Sequence, residues 1–403
     1  MRAKRKVRRH LTAQVNRLTN CRTGRVGTAD RRLMTRLRVA FVAPSLAILG
    51  GQAVQADRLL HAWRDDGEVD AFLVPVNPEP PGPLRFASQV KYLRTIVNQL
   101  IYGPSLLRRL ADADVVHIFS ASYSSFLLAP LPAMLVARAL GRPVVLNYRS
   151  GQAPDHLRRS SVARAAIASA DLNVVPSTFL VDVFKGFGID ATIIPNIVDM
   201  DRFRYRERVP LRPRLVSTRN FESLYNIETT LRAFRIVQNR WPDASLTLVG
   251  GGPGEAGLRA LADRLNLQHV TFAGRARPDQ IADAYAANDI YIQSPDIDNM
   301  PTSVLEAFAS GLPVVSTRAG GVPAILTDGR DGLLAPCGDH ETLARQVLTL
   351  LDDPALAITL VRAAFARCQT CTWSSVRERW LDAYRSAIAA KATAAGGLRM
   401  AAS

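Results

Sequence analysis

The 403 residues contain no uninterrupted apolar run long enough to cross a bilayer. The strongest candidate, Phe126 to Leu140, is broken by Pro130, Pro132 and Arg138 and falls short of the roughly 18 residues a spanning helix needs, so it reads as a buried helix. Cysteine is scarce: four in the whole chain exclude a disulfide framework. Cys368 and Cys371 form a CxxC pair, but no second Cys or His pair completes a zinc site. The pair also follows a helical pattern rather than preceding one, unlike a redox-active CxxC. The first thirty residues lack the apolar core of a secretory signal. These absences point to a protein kept in the reducing cytoplasm.

Acidic residues are missing from one end. Residues 1–33 carry eleven Lys or Arg against Asp30 alone, a net +10, which leaves only +6 of the formal +16 for the rest of the chain. Aromatic residues that could stack on bases are absent from that segment, so nucleic acid is not an expected partner. A disordered basic arm over residues 1–36 is the first reading. Peripheral contact with an anionic membrane, at about 1 kcal/mol per basic residue near the surface, is the second. A third is an upstream extension, because Met34 stands immediately before TRLRVAFVAP, where folded sequence begins.

From Leu37 onward, short β-branched runs alternate with longer helical stretches, the pattern of parallel sheets covered by helices on both faces. RVAFVA, DVVHIF, PVVLNY, LNVVP and TIIP predict the strands of a first half, and RLVST, LTLVG, VTFAG, DIYIQ and PVVST those of a second. The fold class expected is therefore α/β, two tandem Rossmann-like doubly wound domains facing a cleft. The boundaries are an N-terminal domain at 37–200, an Arg- and Pro-rich linker at 201–213 and a C-terminal domain at 214–372. A helix at 373–390 crosses back to the first domain, and a flexible tail follows at 391–403.

Strand, glycine, helix is the sequence order that offers backbone amides to a phosphate, and Gly50 and Gly51 supply it after the first strand. A tight turn without a ligand explains the same pair equally well. Residues 252–257 satisfy GxGxxG, but no acidic residue ends the next strand, VTFAG, as a dinucleotide-binding enzyme would require. The most informative stretch runs from Ser294 to Leu326. A strand ends in a polar loop, Pro301 and Thr302 open a helix, Glu306 sits in its early turns, and Asp298 precedes Glu306 by eight positions. Two carboxylates beside a helix start could grip vicinal hydroxyls while the amides take phosphate. A solvated loop and a helix-capping glutamate remain the alternative.

This stretch resembles the donor-site signature of family 4 retaining glycosyltransferases, which have the GT-B fold. IPNIVD at 194–199, LTLVGGGPG at 246–254, VTFAG at 270–274 and EAFASGLPVVSTRAGG at 306–321 match in order, so the resemblance covers nearly the whole folded chain. It implies transfer of a sugar from a nucleotide-sugar donor to a glycan or lipid-linked acceptor, in polysaccharide or glycolipid synthesis. It implies that Glu306 holds the nucleotide ribose, that Asp298 and the amides of Asn299, Met300, Pro301 and Thr302 hold the donor sugar, and that Arg219 holds the diphosphate. Gly51, beside Gly50, approaches that diphosphate from the other domain. No cofactor is implied beyond the donor. Asp296-Ile297-Asp298 spells DxD, the metal motif of the other large transferase class, yet with Arg219 available no metal is expected.

The chain departs from the family pattern at three places. Asp298 stands where a glutamate is usual, Tyr225 and Asn226 occupy the place of a Lys-Gly pair, and Arg149 replaces a histidine at an N-domain strand end. His117 and His156 are left as weaker acceptor-side candidates. The alternative to an enzyme is a basic lipid- or nucleic-acid-binding protein on a degenerate transferase scaffold.

Overall fold

A computed structural model describes residues 36–46, 50–78, 82, 91–277 and 280–401. The expected basic arm, apart from Arg36, lies outside the described residues.

Two six-stranded sheets make up the fold. The first contains β1 (Leu37–Ala43), β2 (Val69–Pro75), β3 (Val115–Ser120), β4 (Val144–Tyr148), β5 (Leu172–Val175) and β6 (Thr192–Ile193) in the order β2-β1-β3-β4-β5-β6. The second contains β7 (Arg214–Ser217), β8 (Ser245–Val249), β9 (Val270–Gly274), β10 (Ile290–Ile292), β11 (Val314–Thr317) and β12 (Leu333–Ala335) in the order β12-β11-β10-β7-β8-β9. Pairings from β1–β3 through β5–β6, and throughout the second sheet, are parallel. Helices on both faces bury the central strands on both sides, which is why every residue of β3 and β4 is buried, His117 and Asn147 included, with no alternation of buried and exposed positions. The expected pair of doubly wound sheets is present.

The first half's helices are α1 (Gly51–Trp63), α2 (Lys91–Leu110), α3 (Tyr123–Leu128), α4 (Pro130–Ala139), α5 (Ala153–Arg159), α6 (Ser161–Ala168) and α7 (Thr178–Lys185). The second half carries α8 (Ile227–Arg240), α9 (Glu255–Arg264), α10 (Ile281–Ala287), α11 (Thr302–Ala309), α12 (Val322–Ile325), α13 (His340–Asp352) and α14 (Pro354–Cys368). One core gathers Val42, Val116, Ile118 and Leu146 with Leu106 and Met134; the second sheet has two, Leu215, Leu248 and Ile290 with Phe234 and Val347, and Val216, Tyr291 and Val314 with Val304 and Phe308.

Each sheet reverses its winding once, between β1 and β3 in the first and between β7 and β10 in the second. Ligands of doubly wound sheets sit outside the carboxyl ends of the strands at such reversals. Gly50 follows β1, Arg219 follows β7 and Asp298 follows β10.

The chain crosses to the second half after β6, through a single 3-10 turn at Met200–Arg202. It returns in α15 (Trp373–Ala401), whose Trp380 and Tyr384 pack over β3. Here the tail expected to be flexible from residue 391 instead continues the helix to Ala401. The segment from Ile388 to Ala395 is mostly alanine, the strongest helix former, so the helix propagates beyond Ala387, its last core residue.

Candidate functional site

The two winding reversals open onto one cavity of about 540 Å³. Gly50, Gly51, Ser122 and Arg149 line it from the first half, and Arg219, Asp298, Thr302 and Glu306 from the second. Arg219 is buried and donates from Nη2 to Asp298 Oδ2 at 2.6 Å and from Nη1 to Ser303 Oγ at 3.1 Å. Its guanidinium lies 4.0 Å from the centre of the Tyr225 ring. Tyr225 therefore takes the lysine's place as a flat support for Arg219 rather than as a second cation. The Nε of Arg219 is buried without a partner, a donor left over for a ligand. Burial raises the Asp298 carboxyl above its ordinary range, against the pull of Arg219. Its other oxygen accepts from the amide of Asn299 at 2.8 Å.

Glu306, on α11, is also buried. Oε1 accepts from Arg58 Nη2 at 2.6 Å and Oε2 from the Tyr285 hydroxyl at 3.0 Å. Burial, reinforced by Glu306, holds the Tyr285 phenol protonated, so it serves as a donor. A carboxylate offers about four lone-pair positions, so Glu306 can still accept from two vicinal hydroxyls. Arg58 also donates to the Ile197 carbonyl, and Gln55 bonds both the amide and the carbonyl of Ile197. Sequence reading missed Arg58. Its signal was present: Gln55 and Arg58 are polar residues falling among the buried positions of α1, where only a partnered group is tolerated.

Glycines set the two loops that carry these side chains. A Cβ on Gly250 would lie 2.2 Å from the Arg219 carbonyl, and one on Gly252 would lie 2.7 Å from that of Phe221. The GxGxxG-like run therefore seats the Arg219 loop. A Cβ on Gly320 or Gly321 would meet the Asp298 or Asn299 carbonyl at 2.2 or 2.3 Å, and Gly151, from the other half, closes on Asp298 at 2.7 Å. Gly50 and Gly51 differ. Gly50 has an extended backbone that any residue adopts, and a Cβ on either glycine meets nothing within 4 Å. Neither backbone nor packing requires glycine there, and both line the open cavity.

Some expected residues are placed differently. His117 does not line the cavity: it is fully buried in β3, with Nδ1 3.0 Å from the Tyr384 hydroxyl and Nε2 3.0 Å from Asn147 Nδ2. His156 is buried behind the wall, reaching the cavity through the Tyr148 and Ser122 hydroxyls and packing edge-on against Tyr123, which lines it. Pro301 caps α11 but has no N–H, and the Asn299 amide is spent on Asp298, so Met300 and Thr302 keep the open amides of that loop. The side chain of Asn299 faces Ser177 and the Arg149 carbonyl, and the Met300 carbonyl accepts from Asn196 at 2.6 Å. These contacts fasten the loop to the first half. Asp296 and Asp298 do not converge: Asp296 accepts from Asn226 at 3.0 Å while Asp298 turns to Arg219. Among the described residues no group of three His, Cys, Asp or Glu could hold a metal.

Arg149 does line the cavity. It lies 5.5 Å over the Phe119 ring and bonds Asn196 and Asn147, both neutral. Burial pulls its pKa down to about 9, so it remains a cation at neutral pH, and its hydrogen bonds go to amide oxygens rather than to a carboxylate.

Two family models match the chain in succession: glycosyltransferase family 4 over residues 49–202 and glycosyl transferases group 1 over residues 201–367. A GDP-mannose-dependent alpha-(1-6)-phosphatidylinositol monomannoside mannosyltransferase of Mycolicibacterium smegmatis is 30% identical over 279 residues, 63% of this chain and 72% of the relative. The sulfoquinovosyl transferase of Arabidopsis thaliana is 26% identical over 308 residues, 70% of this chain and only 59% of that relative's length. Among solved structures, sucrose-phosphate synthase from Thermosynechococcus elongatus superposes with a TM-score of 0.72 at 21% identity, covering 88% of this chain and 100% of the other. That likeness is one of fold.

Proposed function

Given that this chain belongs to glycosyltransferase family 4, we propose that it transfers a sugar from a nucleoside-diphosphate sugar to a lipid-linked acceptor, with retention of anomeric configuration. The observation that carries this reading is the convergence of Glu306, Asp298 and Arg219 at one winding reversal opposite Gly51 at the other. Glu306 accepts the ribose hydroxyls, Asp298 a hydroxyl of the sugar, and Arg219 the diphosphate. Negative charge grows on the leaving phosphate as the glycosidic bond breaks. A fixed guanidinium in a water-poor cleft stabilises that charge more than it stabilises the ground state. Both Asp298 oxygens are already engaged, which favours the donor phosphate over a carboxylate nucleophile as the group that accepts the incoming hydroxyl's proton. The uncompensated cation of Arg149 supports an acceptor bearing an anionic group, as a phosphatidylinositol-linked acceptor like that of the M. smegmatis relative would.

The test is a pair of isosteric amides. Glu306→Gln should weaken both the donor and the free nucleoside diphosphate by roughly tenfold to a hundredfold, the scale of a lost charge-assisted bond. Asp298→Asn should spare the free nucleotide and lower turnover and selectivity between sugars on one nucleotide. Equal weakening of nucleotide by both would refute the division of roles. Arg219 occupies the place a divalent ion would serve, so transfer should persist in excess chelator.

A further inference from the structure

Half of the exposed large apolar side chains among the described residues lie on three successive helices of the first half. Ile96, Leu100 and Leu107 stand on α2, Leu127 and Leu128 on α3, and Leu135 on α4, each 41–70% exposed. At 100° per residue, Ile96, Leu100, the exposed Pro104 and Leu107 fall within about 80° of one another, a single outward stripe. Val97, Tyr102, Leu106 and Leu110 of the same helix are buried, so α2 has apolar residues to spare after covering its sheet. The three helices adjoin: the Tyr102 hydroxyl donates to the Ala129 carbonyl, between α3 and α4, at 3.0 Å.

Charge follows the same surface. Arg108, about 40° beyond the stripe on α2, and Arg138, one turn after Leu135 on α4, are exposed, and residues 91–111 and 115–154 contain no Asp or Glu. The acidic pair Asp112 and Asp114 lies beyond the last turn of α2, where Asp114 accepts from the Arg38 amide. An apolar stripe flanked by arginines and free of carboxylates complements an anionic bilayer surface. Apolar burial and attraction to headgroup phosphates then add, as stable peripheral binding requires. A water-soluble partner protein would more usually be met by a polar rim of both signs.

The position relative to the cleft gives the surface a use. Ser122 to Ser125 line the cavity at the start of α3, and Leu127 and Leu128 end the same six-residue helix, about 9 Å further on. We infer that the face built from α2, α3 and α4 docks this enzyme on an anionic membrane and sets the acceptor end of the cleft at the lipid surface. Only the last clause rests on the proposed lipid-linked acceptor.

The experiment is co-sedimentation of the full chain with vesicles of phosphatidylcholine and phosphatidylglycerol, against phosphatidylcholine alone, for the parent and for Leu100→Glu with Leu107→Glu. The parent should partition to the anionic vesicles, and the double variant should do so at least roughly tenfold less. Equal binding by parent and variant would overturn the proposal, as would a parent that ignores anionic vesicles. A thermal shift with UDP or GDP, run without lipid, confirms that the variant is folded. It also reads the donor assignment separately: loss of nucleotide binding in the parent would refute that assignment and leave vesicle docking standing. Should the double variant not fold, Leu100→Trp replaces it: bromine-labelled acyl chains should quench its added fluorescence, and absence of quenching would reject the docking face. A parent that forms a concentration-dependent dimer, abolished by the two glutamates, while ignoring vesicles would reassign the face to self-association.

Discussion

Glu306 is held from both halves of the molecule before any ligand arrives, by Arg58 on one side and Tyr285 on the other. Removing one partner of a buried pair leaves an uncompensated charge, a loss of about 3 to 5 kcal/mol. Arg58→Gln should fall at the lower end because Tyr285 still donates. Denaturant unfolding would measure the loss, and initial rates should show the donor KM rising more than kcat falls. A loss of only a few tenths of a kcal/mol would mean that the pair contributes little. The glycines offer a sharper contrast. Gly51→Ala places a methyl in open space and should leave stability unchanged or higher by about 0.5 kcal/mol, the usual gain from a stiffer unfolded chain. If the diphosphate approaches there, kcat/KM should nevertheless drop by about tenfold or more. Gly250→Ala drives a methyl against the Arg219 carbonyl and should lower both stability and activity. Parallel melting and kinetic measurements on the two variants would show whether the loop glycine serves a ligand and the strand-end glycine serves the fold. The residues that were legible beforehand, Arg219, Asp298 and Glu306, stand in contiguous motifs where spacing carries meaning. Arg58 was not, because its role depends on a partner 248 positions away.

Strand β3 carries a histidine where its sheet meets α15. His117 lies in a stack, 4.6 Å from Trp380 and 4.9 Å from Phe119 between ring centroids. Burial first, and the nearby Arg149 second, hold its pKa well below the ordinary 6.5. The native state therefore keeps His117 neutral while the unfolded chain takes up a proton once pH drops below about 6.5. Stability should be at its plateau above that pH and decline beneath it, and His156, shifted the same way by burial, adds to the slope. His117→Gln should be less stable at pH 7.5 yet flatter between about pH 6.5 and 5, read from melting temperature against pH. An unchanged slope would show that the acid sensitivity arises elsewhere. Most strands legible in the sequence are enclosed by helices, where both faces demand apolar residues; the edge strands β6 and β9 were legible through their β-branched runs instead. The two that escaped, β2 and β12, are edge strands. Asp70 interrupts the apolar run of β2, and β12 is only three residues long, so neither carries a pattern that distinguishes it from a loop.

Across the whole molecule, the first half is completed by the last helix. Arg377 bonds Asp66 at 2.7 Å and Glu68 at 3.0 Å, Trp373 stacks edge-on to Trp63 at 4.5 Å, and Tyr384 meets His117. A chain ending at residue 372 should keep a protected second half and lose protection in β3 and β4, as measured by hydrogen exchange. Adding a peptide of residues 373–390 should restore part of it. Full protection without α15 would show that the first half closes by itself. Because α15 is made after the whole second half, the order of synthesis and the order of completion are opposed. The half translated first must wait on the ribosome with an apolar face uncovered until nearly all of the second half has emerged. Only a chain translated through Ala387 can finish the first half's side of the cleft, so a product that stops before Trp373 is kept from catalysis by its own architecture.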